Sequence, residues 1–188
     1  MNVADVRAVM WLPGSALNCY EGDAHLRSWL LTPGLLTQRM RDTGGAAFHM
    51  NVIGEFTDDG EHRREIELVC DGQVWVFAQT RVPATTLAQH PWLAQIGQTA
   101  LGEALAVHGR VDRSEFEYAL LLDDSEVVRK ALARAGQPPR ALWVRRSSFA
   151  VDGAPLQLQE VFLPGVGQRA GVTAAVTAAV TATATATP

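Results

Sequence analysis

Long apolar runs, paired cysteines and lysine are what this sequence has least of, and each shortage excludes something. Nowhere do about 18 consecutive apolar residues occur, so no helix is expected to insert stably in a membrane. The two cysteines, Cys19 and Cys70, cannot build a disulfide framework, and no CxxC pair points to zinc or redox chemistry. Both read as plain thiols. The N-terminus has no basic leader, its apolar run breaks at Pro13-Gly14, and Ala16-Leu17-Asn18-Cys19 lacks the small residues of a lipoprotein cleavage site. No export signal is therefore expected, and the location that follows is cytoplasmic. Lys130 is the single lysine among 16 basic residues, which are interspersed with 20 acidic ones for a net charge of −4. That distribution has no basic stripe, so nucleic acid is not an expected partner. The five histidines, at 25, 49, 62, 90 and 108, show neither HxH nor HExxH spacing, and no serine sits in GxSxG. A metal centre and a nucleophile elbow are both unsupported.

What is present is enough apolar material, 47% of 188 residues, for one core. One domain over residues 1–165 is expected. From 166 to 188 the chain becomes a low-complexity run of Ala, Thr and Val without large apolar residues, too poor in burial to offset its ordering entropy, and reads as a disordered tail.

Asp23 is placed to cap a helix carrying Leu26, Trp29 and Leu30; Pro33-Gly34 ends it, and a second helix spans about 35–43 before Gly44-Gly45. Strands follow over 46–56 and 63–70, and Asp71-Gly72 turns the latter into an antiparallel partner at 74–82. That partner is apolar on both faces, with Trp75 and Phe77 sharing one, as a strand covered on both sides would be. Two short helices fit 84–108, a strand 111–122, a helix 126–135, and a last hairpin 142–151 and 154–163 across Asp152-Gly153. The sum is an α+β fold: a six-stranded antiparallel sheet with helical pairs inserted between its strands.

Two residues break the apolar alternation. In 154–164 the period of two puts Glu160 on the face of Leu156, Leu158 and Phe162, and in 63–70 it puts Arg64 with Ile66, Leu68 and Cys70. An inward carboxylate and an inward guanidinium make either a structural ion pair or the two poles of a pocket for a polar anionic molecule. Arginine suits a carboxylate because its planar fork can meet both oxygens, and glutamate suits a hydroxyl.

The segments Trp29-Leu-Leu31, Arg64-Glu-Ile66, Cys70-Asp-Gly72 with Trp75, Gly97-Gln-Thr-Ala-Leu-Gly102, Leu142-Trp-Val-Arg-Arg-Ser147 and Pro155–Pro164, in this order, resemble the chorismate lyase (chorismate pyruvate-lyase) family over roughly 25–164. The resemblance implies helix-turn-helix flaps closing over a buried ligand, and a lyase that converts chorismate to 4-hydroxybenzoate and pyruvate without metal or organic cofactor, most often feeding ubiquinone synthesis in bacteria. It implies that Arg64 and Glu160 are the catalytic pair, Arg64 on a ligand carboxylate and Glu160 at the ligand hydroxyl. Leu101 matches the flap residue whose backbone meets that carboxylate, and Leu36 stands where better-known members have methionine. Gln79 stands where an arginine is found in others, which leaves Arg81 or Arg145 as substitutes for that charge. A monomer is expected. The alternative is a non-catalytic effector-binding domain of the same fold, as in GntR-type regulators, but residues 1–45 are too few and too poor in basic residues for the DNA-binding domain that precedes such sensors.

Overall fold

A computed structural model describes residues 9–19, 21–58 and 60–168. Its centre is one antiparallel sheet. In chain order the elements are β1 (Leu12–Pro13), α1 (Gly14–Leu17), α2 (Ala24–Leu30), α3 (Leu36–Gly44), β2 (Phe48–Asp58), β3 (Glu61–Cys70), β4 (Gln73–Pro83), α4 (Ala84–Gln89), α5 (Leu101–Leu105), β5 (Val111–Arg113), β6 (Glu117–Leu121), α6 (Glu126–Arg134), β7 (Leu142–Val151) and β8 (Ala154–Phe162). The strand order is β1-β6-β7-β8-β4-β3-β2, with β5 also on β7.

Local chemistry explains the turns. Asp71 and Gly72 both have positive φ, 49° and 73°, and Asp152 and Gly153 have 48° and 88°, the backbone that two-residue hairpins require. Asp23 caps α2 as its position suggests, accepting hydrogen bonds from the N–H groups of His25 (2.8 Å) and Leu26 (3.3 Å).

The described residues hold eight strands where the sequence suggests six. One extra is the two-residue β1, which lies before the first expected helix. The other arises because the expected strand 111–122 is broken: Ser114 bonds back to Ser148 through both its N–H (2.9 Å) and its Oγ (3.0 Å), and β5 and β6 pair with β7 on either side of the break. Trp75 also differs from expectation. A bulge between Leu68 and Val69 shifts the β3–β4 register, and Trp75 joins the cluster of Val76, Ala78 and Trp29, while Phe77 packs on the opposite face with Val74.

The sheet is covered on both sides, as the composition of β4 predicts. Against one face lies α6, whose Val127, Val128, Ala131 and Leu132 pack on Phe77, Val144 and Val161. Against the other lie α2, α3 and α5, with Leu30, Leu36 and Met40 meeting Ile66, Leu68 and Phe162. Val166, beyond the expected domain boundary at 165, is buried in the same cluster, and His25 Nε2 lies 2.8 Å from its carbonyl oxygen. The tail from 169 to 188 lies outside the described residues. No helix among the described residues is long and apolar enough to cross a membrane.

Candidate functional site

Antiparallel register sets two rows of side chains on the face of the sheet covered by the two flaps, the first formed by α2 and α3 and the second by α4 and α5. Arg64, Thr80, Leu158 and Ser147 lie opposite one another across β3, β4, β8 and β7. Two residues along each strand the next row reads Ile66, Ala78, Glu160 and Arg145. With strands about 4.8 Å apart and two residues advancing about 6.8 Å, Arg64 and Glu160 sit about 12 Å apart at Cα. They are too far apart to pair and near enough for one small molecule to reach both. Both line a pocket of about 580 Å³, its open mouth included, together with Leu36, Leu101, Arg113 and Arg145.

The sequence left open whether Arg64 and Glu160 form an ion pair; in the structure each has another partner. Arg64 is 2% exposed, and its Nη2 donates to the carbonyls of Gly97 (2.6 Å) and Thr99 (3.1 Å), tying it to the loop before α5. Its Nε lies 3.2 Å from Glu55 Oε1, close enough for an ion pair but outside hydrogen-bond geometry. Burial pushes the guanidinium below its ordinary pKa, and Glu55 opposes that shift. Glu55 reaches this place because a bulge at Val52/Gly54 slips the β2–β3 register and sets it directly opposite Arg64. A glycine inside a strand was the signal for that bulge, and the sequence reading did not use it.

Glu160 is 6% exposed, and its Oε2 accepts from Arg145 Nε at 2.6 Å. Arg145 has no exposed surface; its Nη1 donates to the carbonyls of Leu30 and Thr32, both at 3.1 Å, at the end of α2. The carboxylate is thus fixed to the base of the first flap. Its contact with Arg145 is made through Oε2.

Gln79 does not approach the pocket. It projects from the opposite face of β4, where its Nε2 donates to Glu65 Oε1 at 2.8 Å. Of the two suggested substitutes, Arg81 pairs with Glu61 at 2.6 Å, whereas Arg145 lies in the pocket wall.

Leu36 and Leu101 share a geometric role: each is the first residue of its helix, α3 and α5. The residues before them, Leu35 and Ala100, have no side-chain acceptor, so no side chain caps either helix. The first N–H groups of a helix have no intrahelical acceptor, and here the first turns of both helices line the pocket. The flaps also touch each other. Arg41 of α3 pairs with Glu103 of α5 at 2.8 Å, and a Cβ at Gly102 would collide with Leu35 Cδ2.

The constellation therefore sets a buried guanidinium, Arg64, and a buried carboxylate, Glu160, one row apart in the wall of one pocket that the first turns of α3 and α5 also line. Among the described residues no group of three or more His, Cys, Asp or Glu side chains is placed to hold a metal.

Comparison with known proteins gives the relatives of this chain. The probable chorismate pyruvate-lyase of Thiobacillus denitrificans is 33% identical over 172 residues, covering 83% of this chain and 89% of the relative. That of Psychromonas ingrahamii is 40% identical over 158 residues, covering 76% and 84%. Among solved structures, the effector domain of PhnF from Mycobacterium smegmatis is similar at a TM-score of 0.49 and 16% identity, covering 71% of this chain and 91% of that one, a likeness too partial to bear on function. The family model described as chorismate lyase matches residues 6–172, which include both flaps, both rows of the sheet and every residue of the pocket, and on that match the chain belongs to the chorismate lyase family.

Proposed function

We propose that this chain converts chorismate to 4-hydroxybenzoate and pyruvate, as a cytoplasmic monomer that needs no metal or organic cofactor. The observation that carries the reading is the pair of poles on one sheet face: Arg64 beneath the starts of α3 and α5, and Glu160 held by Arg145 one row along. Chorismate has a ring carboxylate at C1 and a hydroxyl at C4, on opposite sides of one ring, and the two poles match them. In the reaction the C4 hydrogen leaves as a proton, the C3–oxygen bond breaks, and enolpyruvate departs and tautomerises to pyruvate. Aromatisation of the ring supplies the driving force. The protein's part is to position the substrate, exclude water and favour the oxygen on which charge develops. Arg64 anchors the carboxylate, the backbone at Leu36 and Leu101 completes its cradle, and Glu160 Oε1 orients the C4 hydroxyl.

The test is incubation with chorismate, with and without EDTA, following both products. Equal amounts of 4-hydroxybenzoate and pyruvate, insensitive to EDTA, are expected, with kcat/KM reduced by about 100-fold or more in Arg64→Ala and in Glu160→Ala. Tight binding of 4-hydroxybenzoate without either product would contradict the reading and identify a sensor or carrier instead.

A further inference from the structure

Chorismate is a dianion, and its second carboxylate, on the enolpyruvyl group, has no place in the site as described so far. The enolpyruvyl ether is on C3, beside the C4 hydroxyl, so a ring held by Arg64 and Glu160 carries that group at the Glu160 end. Three guanidinium groups line the pocket. Arg64 is engaged by Glu55 and two flap carbonyls, and Arg145 by Glu160 and two carbonyls of the first flap. Arg113 is different. Its Nε donates to Ser147 Oγ at 3.2 Å, it makes no ion pair among the described residues, and its remaining contacts are aromatic: Cζ lies 4.0 Å from the Phe116 ring centroid and 4.8 Å from that of Phe149. Arg145 Cζ is 4.2 Å from the same Phe116 ring, and Arg145 Nη2 is buried with no hydrogen-bond partner among the described residues. The one-residue register shift across the break at Ser114, between Arg113 opposite Phe149 and Glu117 opposite Arg146, is what sets Arg113 on the pocket face. Burial disfavours the Arg113 cation while nearby Glu160 favours it, as expected of a charge lacking a close counter-ion.

We propose that Arg113, with the unsatisfied Nη2 of Arg145, binds the enolpyruvyl carboxylate and so distinguishes the dianionic substrate from the monoanionic product. This rests on the lyase reading. After elimination the carboxylate leaves with pyruvate, and 4-hydroxybenzoate makes no contact with Arg113.

The experiment compares Arg113→Met and Arg113→Lys with the unaltered protein, measuring KM and Kd for chorismate and Kd for 4-hydroxybenzoate. Arg113→Met should weaken chorismate by about 10- to 100-fold, the loss of a charge-assisted contact, and change 4-hydroxybenzoate by less than about twofold. Arg113→Lys, which keeps the charge without the fork, should fall between. Undiminished product binding also shows that the variants are folded. Equal losses for both ligands would overturn the proposal in favour of a packing role, and so would undiminished chorismate binding. Should the unaltered protein bind chorismate without converting it, the lyase reading fails while the ratio of the two Kd changes still decides the subsite.

Discussion

Glu160 and Arg145 are both almost entirely out of solvent, and each is the other's charge partner at 2.6 Å. Such a pair adds little net stability over apolar residues of similar size, but removing one member leaves a buried charge unmatched at a cost of about 3–5 kcal/mol. Arg145→Met should therefore lower Tm by roughly 6–20 °C in a chain of this size, and Arg145→Met with Glu160→Leu should recover most of that loss while remaining inactive. Thermal denaturation of the single and double variants checks it; a single variant as stable as the parent contradicts the buried pairing. The inward Glu160 and Arg64 were legible from strand alternation alone, because each interrupts an apolar face. Arg145 was not, since it lies in the polar run Arg145-Arg-Ser-Ser148, and only the β7–β8 register reveals which arginine faces Glu160. Arg113 was hidden for the same reason: its position follows from a strand break that the pattern at 111–122 does not announce.

Helices supply the roof, and their sequences explain how closely the two flaps meet. Gly102 sits in the first turn of α5 beneath Leu35, the residue before α3, and any side chain there must displace Leu35. Leu35 is partly exposed and its Cδ2 is the tip of a flexible side chain, so it yields by swinging out of the contact between the flaps. Gly102→Val is expected to raise the Kd for 4-hydroxybenzoate about tenfold or more, and adding Leu35→Ala should restore much of the affinity. Fluorescence titration of the three proteins decides; unaltered affinity in Gly102→Val would mean that the flaps do not close on the ligand. On the far side of the sheet, Glu65 and Glu67 look in the sequence like an ordinary polar face, yet both are buried beneath α6, paired with Lys130 and Arg134 at 2.6 Å each. A spacing match carries that information. Four residues of helix advance about 6 Å and two of strand about 6.6 Å, so cations at 130 and 134 can meet carboxylates at 65 and 67.

For the whole molecule, the order of elements from the first helix pair through the last hairpin was readable, because hairpin turns, caps and alternation are local signals. Strand number and pairing were not, because they depend on bulges at Val52/Gly54 and Leu68/Val69 and on the interruption at Ser114. Those irregularities build the site: one sets Glu55 against Arg64, another places Trp75 under the first flap against Trp29, and the third brings Arg113 to the pocket. The division of labour follows from the layering. One face of the sheet is fastened to α6 by apolar packing and ion pairs, and the other carries Arg64 and Glu160 in the wall of the pocket beneath two short helices. The most direct measurement is a crystal structure with 4-hydroxybenzoate bound. The account predicts the carboxylate on Arg64 and the N–H groups of Leu36 and Leu101, with the phenol oxygen at Glu160 Oε1 and both flaps closed. A ligand with its ends reversed, or bound outside the flaps, would contradict it.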